Sequence, residues 1–283
     1  MALVKWLLMT GFLTGCGSVS EASNALAAPV RVGPDPALRL HGHNDYLQPV
    51  PLHAALELGL GSVEADVFLV DGELRVGHEL WQLRPGRTLA AMYLEPLRVE
   101  AQHRGGRIRG DGKPFVLLVD IKTDGAAVYR HLREELGRYR DLLTRFVDGR
   151  IEPSAVTVIL SGDRPRAMVA ADRERWCALD GRLADLAVEP PPPPDLAPWI
   201  SDSWQRISDW DGKDELTTDE RQRVRDLVAR AHAGGRELRF WGAPDRAEAW
   251  SAFFELGLDR IGTDRPKVAV DWLRNEGTSP AAR

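Results

Sequence analysis

The stretch that decides the fold reads LHGHNDYLQPVPLHAALELGLGSVEADVFLVDGELRVGH and covers residues 40–78. Two short apolar runs within it carry polar pairs at alternate positions, His41 with His43 and Glu64 with Asp66. Side chains of a β-strand alternate between two faces, so each pair is predicted to share one face of its strand. The residues between the pairs have helical spacing, and the order strand, helix, strand predicts parallel pairing.

The second strand is predicted to end in a tight reversal at Asp71-Gly72. After this turn the chain should run back antiparallel to the second strand, which brings His78 close to Asp66. A carboxylate inside an apolar strand has to be paired, protonated or bound to a metal. The sequence therefore predicts that histidines and carboxylates from distant positions converge on one charged site.

Beyond residue 78 the sequence alternates apolar strand-like segments with helical ones. There are about eight strand-like segments over about 230 residues, which is the length and rhythm of a TIM (β/α)8 barrel. We therefore predict an α/β fold with this barrel over residues 37–275 and a disordered tail over residues 276–283. A doubly wound sheet is the alternative, but the glycine-rich fingerprint expected after its first strand is absent.

Residues 1–16 have the pattern of an export signal, with Lys5 before a short apolar run. Leu13-Thr14-Gly15-Cys16 resembles the bacterial lipobox, which predicts lipidation of Cys16, with residues 17–36 as a flexible tether. A plain secretory signal or an apolar N-terminal strand is the alternative. Lipidation predicts anchoring to a membrane surface at a bacterial cell envelope, on the periplasmic or outer surface.

The composition argues against a nucleic-acid partner. The net charge is −5, the pI is near 5.9, and lysine and arginine form no long block. Besides Cys16 the chain has only Cys177, which we expect to be a small buried side chain without a disulfide partner. We expect a monomer.

Three carboxylates at the ends of two predicted strands suggest a metal site. Glu64 and Asp66 belong to one strand, and Asp120 ends the continuous apolar run that follows residue 114. A cluster of oxygen ligands without cysteine favours a hard cation, Mg²⁺ or Ca²⁺. The alternative is that Glu64 and Asp66 pair with an arginine or cap a helix.

His43 and His78 are candidates for proton transfer on either side of a metal-bound phosphate, with His43 as base and His78 as acid. The role of His41 stays open, because it can support His43, bind the metal or hydrogen-bond a main-chain group. An H-x-H after the first strand also fits an amidohydrolase-type barrel with a transition metal. That site needs further histidines, and the strand ends at Asp180 and Ser201 have none.

Two further residues are candidates for the same site. Lys122 follows Asp120 at alternate spacing and could neutralise charge on a phosphoryl oxygen, or only pair with Asp120. Trp241 ends a predicted strand and could form an apolar wall of the site or belong to the core.

These motifs together resemble the phosphatidylinositol phospholipase C-like phosphodiesterase superfamily, which includes glycerophosphodiester phosphodiesterases and spider-venom sphingomyelinase D. They are most similar to the Altered inheritance of mitochondria protein 6 family. The shared segments are His-x-His-Asn-Asp-Tyr at 41–46, Val-Glu-Ala-Asp at 63–66, Val-Gly-His at 76–78, and short matches at 161–162, 180–181, 201–204, 238–241 and 263–264.

The resemblance implies a TIM barrel, Mg²⁺ or Ca²⁺ held by Glu64, Asp66 and Asp120, and a phosphodiesterase reaction. It implies roles for three other residues: an acid and base pair of His43 and His78, and a phosphate clamp at Lys122. We also predict substrate contacts at Asn44 and Trp241 and count His41 among the catalytic candidates. A phospholipid or glycerophosphodiester is the implied substrate. However, the His-Arg-Gly and Pro-Glu-Asn-Thr segments of glycerophosphodiester phosphodiesterases are absent, and so are the loop cysteines of sphingomyelinase D. A metal-dependent hydrolase of another bond and a non-catalytic lipid- or phosphate-binding lipoprotein remain alternatives.

Overall fold

A computed structural model of the chain describes residues 35–275. Its strands are β1 (Leu40–Gly42), β2 (Ser62–Val70), β3 (Glu73–Val76), β4 (Phe115–Ile121), β5 (Arg145–Val147), β6 (Arg150–Glu152), β7 (Val156–Gly162), β8 (Glu174–Arg175), β9 (Cys177–Gly181), β10 (Trp199–Ser203), β11 (Glu237–Trp241) and β12 (Arg260–Thr263). Its α-helices are α1 (His53–Leu58), α2 (Glu95–His103), α3 (Gly125–Gly137), α4 (Arg166–Ala171), α5 (Thr218–Ala233), α6 (Ala247–Glu255) and α7 (Pro266–Asn275).

Eight parallel strands close into a barrel in the order β1, β2, β4, β7, β9, β10, β11, β12. The first strand closes it, because Leu40 pairs with Ile261 of β12 while His41 pairs with Ser62 of β2. The predicted (β/α)8 barrel is confirmed, and the open doubly wound sheet is excluded by this closure. In β4 every side chain except Asp120 is buried, as expected for a strand covered on both faces.

The predicted hairpin after β2 is also present. β3 pairs antiparallel with β2, and Val67 lies opposite Val76. Both turn residues, Asp71 and Gly72, have positive φ angles of 53° and 76°, as this tight reversal requires. The Gly77 amide then donates to the main-chain oxygen of Asp66 at 3.1 Å, which sets the position of the following His78.

Several local features of the structure were not predicted. A 3₁₀ helix, Pro36–Arg39, precedes β1, and a π-helical turn, Ala90–Leu94, precedes α2. The short antiparallel sheet of β5, β6 and β8 is among them, because two- and three-residue strands carry too little periodicity. Helix α7 was not predicted either. Thr217 caps α5: its hydroxyl accepts from the Glu220 amide, and the Glu220 carboxylate accepts from the Thr217 amide.

The predicted signal, the lipidated Cys16 and the tail over residues 276–283 lie outside the described residues. So does the predicted tether, apart from its last two residues. Between residues 35 and 275, no helix is long and apolar enough to cross a bilayer. Cys177 is buried and carries a free thiol, as predicted.

Candidate active site

Three carboxylates meet at the C-terminal end of two neighbouring barrel strands. Asp66 of β2 lies in register with Asp120 of β4, and Glu64 precedes Asp66 by two residues. One oxygen from each carboxylate lies within 4.8 Å of the others. Glu64 and Asp66 are buried and Asp120 is partly buried, so their negative charges are concentrated in a region with little water. This set is the one group within residues 35–275 with metal-ligand spacing, and it contains no histidine.

Asp66 is the most densely hydrogen-bonded of the three carboxylates. Its Oδ2 accepts from the Tyr46 hydroxyl at 2.7 Å, from His78 Nδ1 at 2.8 Å and from Lys122 Nζ at 2.7 Å. Its Oδ1 is buried and has no hydrogen-bond partner among the described residues. A buried carboxylate oxygen without a donor is costly unless a cation or another ligand meets it. The donor set and this orphaned oxygen therefore fit a hard divalent cation.

Glu64 is held by two cationic or polar neighbours inside the barrel. Its Oε2 accepts from Arg239 Nη2 at 3.1 Å and from His41 Nε2 at 3.3 Å. Burial alone would raise the pKa of Glu64, but the Arg239 guanidinium and the His41 hydrogen bond hold it well below its usual range. Glu64 is therefore ionised throughout the physiological range.

His41 does not line the cleft in which the other candidates lie. It is fully buried, and burial together with the nearby Arg239 charge lowers its pKa to about 3. Its Nδ1 lies 2.9 Å from the Ser62 hydroxyl, and its Nε2 faces Glu64. This geometry fits a supporting role, in which a neutral imidazole sealed from the cleft orients Glu64. A direct catalytic role for His41 stays a prediction.

Asp120 differs from the other two carboxylates in having no close hydrogen bond. Burial, together with the charges of Glu64 and Asp66, raises its pKa to about 6, although Lys122 at 3.7 Å acts in the opposite direction. Gly162 lies directly against it with φ +66°, and a Cβ added there would be 2.2 Å from Asp120 Oδ1. Mutual repulsion of this kind is relieved when a cation binds between the carboxylates.

Both candidate catalytic histidines are oriented by a carboxylate. His43 Nδ1 lies 2.7 Å from Asp264 Oδ1, and His78 Nδ1 lies 2.8 Å from Asp66 Oδ2. These contacts assign the N–H to Nδ1 in both rings and leave Nε2 for a substrate. Burial lowers the pKa of His43, but the Asp264 hydrogen bond and the Glu64 charge outweigh it, and the pKa is raised overall.

His43 and His78 line a single cleft of about 250 Å³ at the mouth of the barrel. The other lining residues are Asn44, Glu64, Asp120, Lys122, Ser161, Gly162, Arg182, Arg239 and Trp241. The cleft thus brings together every sequence-predicted site residue of the barrel except His41 and the buried Asp66, which lies behind Lys122 and His78.

Trp241 contacts another residue of the cleft, and Asn44 contacts Tyr46 beside it. The Trp241 ring lies under the Arg182 guanidinium, whose Cζ is 4.7 Å from the ring centre, and Arg182 Nη1 donates to Asp180 Oδ2 at 2.9 Å. Asn44 has a left-handed conformation with φ 46°, and its Oδ1 lies 2.7 Å from the Tyr46 hydroxyl oxygen. Trp241 is only half-buried, which favours the wall of the site over the core.

Two arginines of the cleft, Arg239 and Arg182, were not predicted from the sequence. Arg239 interrupts the apolar strand β11 between Leu238 and Phe240, and a buried arginine in such a strand is a detectable signal. Arg182 follows β9 in a loop, where no pattern distinguishes it from a surface residue.

At the mouth of this (β/α)8 barrel, clustered carboxylates thus lie beside two carboxylate-bound histidines. A family described as the AIM6-like phosphodiesterase domain matches residues 35–179, which is just over half of the chain. The chain belongs to this family.

Two fungal relatives extend the likeness over most of the chain. The Altered inheritance of mitochondria protein 6 homolog of Arthroderma benhamiae is 28% identical over 266 residues, covering 83% of this chain and 83% of the relative. The Altered inheritance of mitochondria protein 6 of Eremothecium gossypii is 28% identical and covers 90% and 75%. Among solved structures, the Xanthomonas citri FimX EAL domain in complex with c-diGMP matches with a TM-score of 0.35 and 14% identity over 71% of this chain and 79% of that one.

The relatives correct one prediction. The expected location at a bacterial cell envelope is wrong, because these relatives are fungal proteins named for mitochondrial inheritance.

Proposed function

We propose that this chain is a metal-dependent phosphoric diester hydrolase whose substrate is a phospholipid or a glycerophosphodiester. The observation that carries the proposal is the pair of imidazoles on one cleft. His43 and His78 are each fixed through Nδ1 by a carboxylate, and both face the cleft that contains Glu64 and Asp120. A base and an acid are what the hydrolysis of an unactivated diester requires.

The charges around the cleft support a diester over a monoester. Glu64 is neutralised by Arg239, and Asp66 by Lys122, which leaves the charge of Asp120 unmatched. A divalent cation would therefore give this group one net positive charge. A phosphodiester has one negative charge, whereas a phosphomonoester has up to two near neutral pH.

Glu64, Asp66 and Asp120 would hold the cation, which supplies Lewis-acid polarisation of a phosphoryl oxygen when bound. Lys122 stays charged, because Asp66 and Asp120 raise its pKa in spite of burial, and it faces the cleft to bind a non-bridging oxygen. His43 Nε2 takes a proton from the nucleophile, which is water or a hydroxyl of the substrate. His78 Nε2 gives a proton to the leaving alkoxide.

The direction of proton transfer depends on the charge near His43. Its raised pKa would by itself favour the acid role for His43, because the ring would hold its proton near neutral pH. Part of that shift comes from the Glu64 carboxylate, and a cation bound to Glu64 would cancel this contribution. We therefore retain His43 as base and His78 as acid.

Hydrolysis of bis-p-nitrophenyl phosphate, glycerophosphocholine and lysophospholipids, each with Mg²⁺, Ca²⁺ or EDTA, tests the proposal. His43→Ala and His78→Ala should each lower kcat about 10²- to 10⁴-fold. His103→Ala, at an exposed position on α2, is the matched control and should not. Activity that survives EDTA and dialysis would remove the metal from the proposal.

Two other outcomes decide between function classes. Phosphate or lipid binding without turnover of any diester would make the chain a binding protein. Hydrolysis of carboxylic esters or amides with no diester cleavage would favour the amidohydrolase-type alternative.

A further inference from the structure

Two loops beside the active-site cleft expose large apolar side chains to water. Leu47 and Val50, in the loop after β1, are 57% and 54% exposed, and Leu80 and Trp81, in the loop after β3, are 64% and 72% exposed. These four account for half of the strongly exposed large apolar side chains among residues 35–275. Exposed apolar residues that cluster at one place on a surface mark an interaction site more often than scattered ones do.

Leu47 and Trp81 line the same groove, which has a volume of about 340 Å³. Arg84 and Arg87 also line it. Arg84 Nη1 donates to the main-chain oxygen of Trp81 at 2.7 Å, and Arg87 Nη2 donates to that of Tyr46 at 2.7 Å. Neither guanidinium forms an ion pair with a carboxylate within the described part of the chain.

Arg84 and Arg87 place positive charge beside this apolar surface. Residues 79–87 contain Arg84, Arg87 and one acidic residue, Glu79, which leaves one net positive charge. In the preceding turn, Asp71 and Glu73 both bind Arg75, so these carboxylates do not pair with Arg84 or Arg87. The Trp81 indole is amphipathic, and Arg84 and Arg87 beside it have no carboxylate partner among the described residues. Together they complement a surface with an apolar interior and anionic groups on its outside.

The groove adjoins the cleft of the proposed reaction. Tyr46 lines the groove, and its hydroxyl donates to Asp66. Gly77, which also lines the groove, directly precedes His78. A phosphate-containing molecule bound in this groove would thus have its phosphate close to the mouth of the barrel.

We propose that the apolar rim formed by Leu47, Val50, Leu80 and Trp81, together with Arg84, docks the barrel mouth onto the surface of an anionic lipid bilayer. The rim contacts lipid directly and is independent of any anchor at the N-terminus. The inference rests on the proposed function only in taking the substrate to be a lipid. A protein partner is less favoured, because the apolar side chains come from two separate loops with the open cleft beside them and the rim cations lack acidic partners.

The docking is tested without turnover, with an environment-sensitive nitrobenzoxadiazole label on a single cysteine. Trp81→Cys and the control Ile151→Cys are prepared in the full chain with Cys16→Ser, and the buried Cys177 is not labelled. Ile151 is 45% exposed and lies in the β5–β6 hairpin, which precedes the N-terminal end of β7 and so belongs to the opposite end of the barrel. Neither substitution removes a buried side chain.

The label at position 81 should shift to shorter wavelength and gain several-fold intensity on vesicles of phosphatidylcholine with phosphatidylglycerol. The label at position 151 should keep its aqueous spectrum. Arg84→Gln should weaken binding to the anionic vesicles by about fivefold, and by less to phosphatidylcholine alone. An aqueous spectrum at position 81 while the protein sediments with the vesicles would overturn the proposal. A shift that grows with protein concentration in the absence of lipid would overturn it too, in favour of a second copy of the chain.

Hydrolysis and docking can fail separately. A protein that cleaves soluble diesters but shows no change at position 81 would keep the proposed function and lose the rim. A protein that inserts position 81 into vesicles but cleaves no diester would keep the rim and lose the reaction.

Discussion

Replacing Asp120 by asparagine should change protein stability in opposite directions with and without a divalent cation. Asp120 is the one carboxylate of the cluster without a close hydrogen bond, so the substitution removes charge and little else. Its pKa is raised from 3.8 to about 6, first by burial and then by Glu64 and Asp66. A raised pKa in the folded state means that the contribution of Asp120 to stability is complete below pH 4 and is lost as the pH rises through 6.

The size of this loss follows from the shift. A shift of about two pKa units corresponds to about 3 kcal/mol, and partial exposure of the side chain reduces this to about 2 kcal/mol. Without cation and well above pH 6, Asp120→Asn should therefore unfold at a higher temperature than the parent by about 4–8 °C. At pH 4 the two proteins should unfold at nearly the same temperature.

A bound cation reverses the order. At a free concentration one hundred times its Kd, the cation should stabilise the parent protein by about 3 kcal/mol. The asparagine variant lacks one of three ligand charges and should lose most of this gain. Parent protein should then unfold at the higher temperature.

Thermal unfolding by calorimetry in EDTA, Mg²⁺ and Ca²⁺ measures both effects. Asp264→Asn is the control, because Asp264 lies at the same mouth but is bound to His43 and is not part of the carboxylate cluster. Its effect should be the same with and without cation. If the cation raises the Tm of Asp120→Asn as much as that of the parent, Asp120 is not a ligand. If no cation shifts the parent, Lys122 and Arg239 are the permanent partners of the cluster and the metal site is refuted.

Three further predictions concern buried groups. Burial raises the pKa of Asp45 to about 6, so unfolding free energy should fall by about 3 kcal/mol between pH 4 and pH 7, and Asp45→Asn should remove that part of the decline in urea titrations. Gly162→Ala should cost about 1–3 kcal/mol and weaken calorimetric cation binding, because its Cβ would meet Asp120 Oδ1 at 2.2 Å and φ is +66°. Arg239→Met should lower the unfolding free energy by about 3–5 kcal/mol, because it leaves Glu64 buried and unpaired. The double variant with Glu64→Gln should recover much of this loss. If the effects of the two substitutions simply add, the pairing is contradicted.

The carboxylate cluster could be predicted because its signals are local or lie on adjacent strands. Parallel strands present their C-terminal ends at one edge, so Asp66 and Asp120 had to be neighbours once β2 and β4 were recognised. The Asp71-Gly72 turn fixed the return of the chain, and the 2.8 Å contact between His78 and Asp66 confirms that they approach each other.

The spacing of His41 and His43 in the sequence did not predict how deeply each side chain lies within the barrel. The two-residue interval between His41 and His43 predicts a shared face, but it does not say which ring reaches the surface. β1 ends at Gly42 and Asn44 adopts a left-handed conformation, so His43 lies at the rim beside Asp264. His41 lies inside, where burial keeps its ring neutral.

The pairing of Glu64 with Arg239 was beyond sequence reasoning for a different reason. β2 and β11 are not neighbours in the sheet, and their side chains meet only across the interior of the closed barrel. That contact depends on how the barrel closes. A sequence pattern predicts that the barrel is closed, but not the register that decides which side chains meet across its interior.

This pairing bears on how a cation would bind. Glu64 and Asp66 each have a cationic partner within the protein, Arg239 and Lys122, so the site holds together without metal. Those partners use Glu64 Oε2 and Asp66 Oδ2, whereas Asp66 Oδ1 has no donor. A cation can therefore bind Asp66 without displacing Lys122, and both positive charges would then face the same phosphate. Asp120 has no close hydrogen bond of its own, and its negative charge is not matched by Arg239 or Lys122. This unmatched charge favours binding of a divalent cation, so replacement of Asp120 is the sharpest test of the site.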